Sequence, residues 1–383
     1  MPTSKRVLIA CLMAMYWVSA GVFVRADGLT LAQVIANVES NEQLYRDIEV
    51  IRTEEYRLLV EETSKDNLVT TQKRQRRSVI QGPMFYLKVT GGHDLINNKS
   101  YDLYDLYGYD GEVTRRVAAG GPTTDPGGKH QGIANIEHKR LHPCDIFVPH
   151  TWLLSNPCIT PLSVCLRGGK EFQNYPGNGR YKQIFQQSFL EGEETVDALR
   201  CVRLRIETFN IQGPKLIPNG RLILWLAIDR NYLPMKSNAY VLFENPDIAL
   251  EEDSVKDYRQ IGTDIWLPFE KQVITYDHIL LRKDKNNRVV RHRITEKIEL
   301  AKLDPNYDIS FFRDIEIPAG SAVYELEKGQ IVDSYTQPGD PNARTSGRYR
   351  WLIVVLVILV LALAGVFIWW RVRHARRLSV PAA

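Results

Sequence analysis

An α+β fold, mainly antiparallel β, is predicted for this 383-residue chain by three observations. Long stretches alternate apolar and polar residues with period two, one amphipathic helix precedes them, and a single apolar run long enough to span a bilayer closes the chain. The expected architecture is a large curved sheet or half-open β-barrel. It carries an N-terminal helix, a short helical insertion and one C-terminal transmembrane helix.

Lys5 and Arg6 precede an apolar run from Val7 to about Val24, and Val24-Arg25-Ala26 offers a cleavage site before Asp27. Residues 1–26 therefore read as a secretory signal. An uncleaved anchor and a lipoprotein signal ending at Cys11 are the alternatives. Residues 27–330 form the expected exported domain. Within it, Leu29 to Tyr45 has helical spacing at Leu31, Val34, Ile35, Val38 and Leu44, with Thr30 placed to cap. From Asp47 the period becomes two: Ile48, Val50, Arg52, Glu54, Tyr56 and Leu58 alternate with Glu49, Ile51, Thr53, Glu55, Arg57 and Leu59. That alternation places Glu54 and Glu55 on opposite faces.

Further strands are expected at Val79–Thr90, Lys99–Tyr109 and Gly111–Ala118. Residues 119–133 are Gly/Pro-rich, and 134–170 hold four prolines and three cysteines, so 119–178 reads as an insertion with short helices. Strands resume at Tyr181–Phe189, Ala198–Phe209, Gly220–Asp229, Leu233–Phe243, Ser254–Gln260, Ile265–Tyr276 and Val289–Leu300. Val202, Leu204 and Ile206 oppose Arg203, Arg205 and Glu207, which suits a sheet dry on one face.

A linker is expected at 331–350, followed by the apolar run 351–370 (WLIVVLVILVLALAGVFIWW). At about 1.5 Å rise per residue, this run covers the roughly 30 Å hydrocarbon core of a bilayer. Tryptophans bracket it, and Arg371, Arg373, Arg376 and Arg377 follow. The reading is a cytoplasmic basic tail at 371–383 and a periplasmic or extracellular domain before the span.

The net charge of +4 divides unevenly. Nine of 49 basic residues and none of 45 acidic residues lie outside 27–347, leaving 40 basic and 45 acidic residues, net −5, in the exported part. Nucleic acid is not an expected partner. Within that domain, Lys73, Arg74, Arg76 and Arg77 form one basic block, read as a solvated strand end or turn, or as a contact for anionic lipid or substrate. Cys144, Cys158, Cys165 and Cys201 survive signal removal, an even number that suggests two disulfides. Free thiols, or a metal site of His138, His142, Cys144, His150, Cys158 and Cys165, are the alternatives. No GxSxG, HExxH, GxGxxG or CxxC motif occurs, and no enzymatic role or cofactor is expected.

Four segments occur together: Leu44–Val50, Trp225–Pro234, Asp257–Pro268 and Phe312–Gly320. In the second and third, a strand ends in an acid-containing turn with a nearby aromatic, and Leu-Pro opens the next strand. This order resembles the bacterial lipoprotein-carrier superfamily (LolA/LolB-like, with the related sensor RseB) over roughly 29–320. The resemblance implies a helix and a curved antiparallel sheet enclosing a cavity for acyl chains. It makes a membrane lipid or lipoprotein acyl group the expected partner. Leu222, Leu224, Leu226, Trp225 and Trp266 are the candidate lining residues. A tether at 351–370 departs from the carrier pattern and favours local binding over shuttling. The alternative is an envelope sensor that binds a protein partner through its exported sheet.

Overall fold

A computed structural model describes residues 28–59, 68–91, 93–94, 99–100, 104–119, 132–138, 146–154, 160–174, 183–242, 246–283 and 288–338. The expected signal (1–26), transmembrane run (351–370) and basic tail (371–383) lie outside them. Among the described residues, no helix is long and apolar enough to cross a membrane.

The chain begins with helix α1 (Leu31–Glu42). Thr30 and Gln33 close a capping box: Gln33 N–H donates to Thr30 Oγ1 at 3.3 Å, and Thr30 N–H donates to Gln33 Oε1 at 2.8 Å. Next come β1 (Ile48–Leu59), β2 (Leu68–Gln81), β3 (Met84–Thr90), β4 (His93–Asp94), β5 (Lys99–Ser100), β6 (Tyr104–Tyr109), β7 (Thr114–Ala119) and β8 (Ile133–Glu137). Helices α2 (Leu162–Arg167) and α3 (Gly169–Asn174) follow. Then come β9 (Ile184–Val196), β10 (Leu199–Gln212), β11 (Lys215–Ala227), β12 (Leu233–Val241), β13 (Glu251–Gly262), β14 (Ile265–Tyr276), α4 (His278–Lys283) and β15 (Val290–Leu303). Helix α5 (Ile309–Arg313), β16 (Ala322–Glu327) and β17 (Gln330–Thr336) complete the order.

Fifteen strands make one open sheet in the order β17-β16-β8-β7-β6-β3-β2-β1-β15-β14-β13-β12-β11-β10-β9. It is built from two meanders. One runs outward from β1 to β8; the other starts at the far edge with β9 and returns to seat β15 beside β1. Only β8–β16 is parallel among the described pairs. The fold is therefore mostly antiparallel β in a large open curved sheet with an N-terminal helix, as expected.

This topology dictates what covers the sheet. The chain must pass from β8 to β9, which lie far apart, and the described residues 146–154 and 160–174 between them lie on one face, called here the inner face. Residues 304–321 likewise carry the chain from β15 to β16 across the other, outer face. Within the expected insertion 119–178, β8 belongs to the main sheet.

Other boundaries also differ from expectation. Val79–Thr90 is split by a turn at Gly82-Pro83 into the ends of two strands. The expected Lys99–Tyr109 strand contains β5, which among the described residues pairs with β4, and β6 of the main sheet. Residues 331–336 of the expected linker at 331–350 belong to β17.

Five apolar clusters hold these layers. On the inner face, α1 and α2 press Val34, Val38, Leu162 and Leu166 onto Val202, Leu204, Leu224 and Leu226. Phe147, Trp152 and Leu153 pack with Tyr45, Ile48, Val50 and Ile298. Ile146 meets Phe85 and Tyr109. On the outer face, Leu106, Val117 and Val323 lie under Ile315 and Ile317. Cys201, Ile223, Trp225 and Met235 form a separate outer cluster.

Candidate functional site, the inner face and its cover

Opposed residues in an antiparallel pair share a face, so the registers assign the inner face directly. It divides into an apolar strip on β10 and β11 and a charged centre on β1, β2, β14 and β15. Val202, Leu204, Leu224 and Leu226 in the strip are fully buried. Their cover is α1 with α2 and α3, which supply Val34, Val38, Leu162, Leu166 and Phe172. Polar ties fasten the cover: Ser163 Oγ donates to Glu42 Oε2 at 2.6 Å, Arg167 pairs with Glu39, and Gln186 Nε2 donates to the Cys165 carbonyl.

In the charged centre, Glu296 accepts from Arg52 Nη1 at 2.9 Å and lies 3.4 Å from Lys271 Nζ. Trp152 Nε1 donates to the same carboxylate at 3.2 Å, while Lys271 Nζ donates to the Trp152 carbonyl at 2.7 Å. Arg76 pairs with Glu54 at 2.5 Å, and the Arg52 guanidinium stands 5.5 Å from the Phe147 ring centre. Burial acts to raise the Glu296 pKa, but Arg52, Lys271 and Arg76 outweigh it and hold the group at about 2.

Asp253 is the exception. Burial, helped by Glu251, pushes its carboxyl up to about 7. Ser237 Oγ lies 3.0 Å from Asp253 Oδ2 and 3.1 Å from the Leu153 carbonyl. One hydroxyl hydrogen cannot serve two acceptors. Both contacts are satisfied when Asp253 keeps its proton and donates to Ser237, which then donates to Leu153.

His150 is fully buried in the same crossing segment, and burial lowers it to about 4. Its Nε2 meets the Asn231 carbonyl at 2.9 Å. Asn231 sits in the left-handed region (φ 56°) of the acid-and-aromatic turn after β11. Its side chain donates to Asn41 Oδ1 at 3.1 Å and the Asp264 carbonyl at 3.0 Å, and accepts from Trp266 N–H at 2.9 Å. The two turns that carry the sequence resemblance are therefore bolted to each other and to the end of α1.

The structure distributes the five candidate lining residues over different environments. Leu224 and Leu226 lie in the apolar strip, with Leu222 half-buried beside them. Trp225 is on the opposite face, its Nε1 donating to Glu194 and its ring beneath Arg203 and Lys236. Trp266 is half-buried at the turn, with Arg230 3.8 Å from its ring centre. They do not border one common space.

The expectation of two disulfides is corrected. Cys201 is a free, fully buried thiol beside Met235 Sδ at 3.7 Å, and burial raises it to about 11. Cys165 lies in the inner-face cluster, facing the Thr160 carbonyl. Cys144 and Cys158 lie outside the described residues. The basic block is also placed differently from a strand end. It runs through β2, with Arg76 buried on Glu54 and Arg77 held by Glu49 and Tyr307. Sequence reasoning missed the buried charges. The one available signal was Arg52 and Glu54 sharing the phase of Ile48 and Val50. Among the described residues, no group of three or more His, Cys, Asp or Glu is placed to hold a metal.

No family model and no curated protein matches this chain. Solved structures similar to it include a DUF1329 family protein from Desulfovibrio piger, 12% identical, covering 74% of this chain and 96% of that one, with TM-score 0.37. A putative outer membrane lipoprotein-sorting protein domain from Vibrio parahaemolyticus is 9% identical, with coverages of 75% and 96% and TM-score 0.38. A LolA superfamily protein from Nitrosomonas europaea is 12% identical, with coverages of 75% and 99% and TM-score 0.33. At TM-scores below 0.5, neither ligand nor activity follows from these likenesses.

Proposed function

We propose that this chain is a membrane-anchored envelope protein whose exported domain binds a lipid or lipoprotein acyl group without catalysis. One observation carries this reading: the apolar strip of the sheet is closed by short helices rather than by a second sheet. Lifting that cover breaks the polar ties at Glu42, Glu39 and Gln186 but unpairs no strand. An acyl chain would replace Leu162, Leu166 and Phe172 against Val202, Leu204, Leu222 and Leu224. In this reading the domain is periplasmic or extracellular, held by 351–370, with residues 371–383 cytoplasmic.

The test is mass spectrometry of the full chain after gentle extraction. Co-purifying acyl species are expected. A clean apo spectrum, with no uptake of a fluorescent fatty acid, overturns the proposal.

A second reading is favoured by β17, whose seven residues are all exposed at the sheet edge, including Ile331, Val332 and Tyr335. Such an edge suits strand addition by a protein partner. Crosslinking in the membrane should then trap a partner at β17; recovery of none above background would sink it.

A further inference from the structure

The outer face carries a polar site that the inner-face reading does not use. Lys297, Thr53, Gln75 and Thr90 stand in one cross-strand row of β15, β1, β2 and β3. Thr295, Glu55 and Lys73 form the neighbouring row. These residues alternate with Glu296, Arg52, Glu54 and Arg76, so they belong to the face opposite the charged centre. They border a cleft of about 440 Å³, which Gly91 completes on this face. That volume falls among small-molecule sites, usually about 300–1,000 Å³. Such sites are mostly apolar, yet no aliphatic or aromatic residue borders this one.

The bonding inventory specifies the ligand. The Glu55 carboxylate is already engaged, with Arg57 at 2.8 Å and the Thr70 hydroxyl at 2.7 Å, and Glu54 is held by Arg76 on the other face. The cations are less committed. Lys73 stands opposite Glu55 and acts on that carboxylate through space, but among the described residues it forms no ion pair within 4 Å. Lys297 has only a long, exposed pairing with Glu270 at 3.6 Å. The hydroxyls of Thr53, Thr90 and Thr295 have no partner among the described residues. Uncommitted cations beside uncommitted hydroxyls match an anion that also carries hydroxyl groups.

We propose that this cleft binds a phosphorylated polyol, a chemistry shared by glycerophospholipid headgroups and free glycerol or sugar phosphates. Lys73 and Lys297 take the phosphate as point charges. Thr53, Thr90 and Thr295 take the hydroxyls. The site stands independently of the acyl-chain reading, because it lies on the other face of the sheet.

The test is calorimetric titration of the full chain in phosphatidylcholine nanodiscs, in two arms. One uses glycerol phosphate; the other uses short-chain phosphatidylglycerol. Binding of both to the same extent assigns a free phosphate; binding of the lipid alone assigns a headgroup. In either case, Lys73→Ala combined with Lys297→Ala should weaken binding by about tenfold or more. Added salt should weaken it too, and Lys→Arg at both positions should restore it. The proposal is overturned if neither probe binds, or if the double alanine variant, melting like the wild type, binds unchanged. Fatty-acid uptake should be the same in these variants, which separates failure here from failure of the acyl-chain reading.

Discussion

Glu296 draws three buried groups onto one carboxylate, and its removal strands them. Arg52 and Lys271 would then stay buried without their counter-charge, a loss of about 3–5 kcal/mol for a broken buried pair. Glu296→Ala and Arg52→Ala should each lower unfolding free energy by that amount in denaturant titrations. A loss below about 1 kcal/mol would mean that the network is wet. Its pKa of about 2 lies below the ordinary 4.5. Its contribution is therefore complete above pH 4.5 and disappears as pH falls toward 2.

Asp253 runs the other way. It ionises near 3.8 in the unfolded chain but at about 7 in the fold, so stability falls as pH rises between those values. The groups around it are Glu251, Lys271, Ser237 and Glu296. Asp253→Asn should raise the melting temperature at pH 8 by at least a few degrees and leave it nearly unchanged near pH 4. An equal effect at both pH values would contradict the protonated Asp253–Ser237 pair. His150, held at about 4 against an ordinary 6.5, removes stability as pH drops through that window. The comparison is therefore made variant against parent at each pH.

At the scale of elements, two close approaches set the layers. A Cβ on Gly108 in β6 would run into the Phe312 carbonyl and the Ile315 side chain, so α5 can seat only on glycine. Gly168, at φ +64°, joins α2 to α3 against the Gln186 carbonyl of β9. Gly108→Ala should cost about 1–3 kcal/mol. Limited proteolysis should show faster cleavage at 305–318, with the inner face unaffected.

Much of the element pattern was legible in the sequence. Strand β14 was predicted with its observed bounds, and α1 with its cap, because alternation and capping are local. Strands β8, β16 and β17 were not seen. β16 finds its parallel partner about 190 residues away, and β17 is exposed throughout, so neither imposes a period. The charged centre was hidden for the same reason. Arg52 and Trp152 reach Glu296 across 244 and 144 residues, and no linear pattern reports that. Trp225 and Leu224, grouped as lining, are adjacent on one strand and must face opposite ways.

For the molecule as a whole, the two meanders meet at β1–β15, so a terminal half of the chain completes the middle of the sheet. In the proposed topology, the arginines after residue 370 set the orientation. In sealed vesicles or intact cells, protease added from outside should digest residues 30–330, while an epitope tag placed after Ala383 survives. Digestion of both would reject the tether and its direction.

The place where the chain leaves the sheet has a mechanical consequence. β17 is the outermost strand of the described sheet, Thr336 lies opposite Ala322, the first of β16, and Gln337 just beyond exchanges backbone hydrogen bonds with Ser321 and Gly320. Tension arriving through the C-terminus would therefore load one backbone pair at a time, beginning with the bonds of Gln337 to Gly320 and Ser321, and unzip the hairpin instead of shearing the sheet. The domain has a built-in fuse: under load the edge hairpin lengthens first, while β1–β15 and the covered inner face keep their pairing.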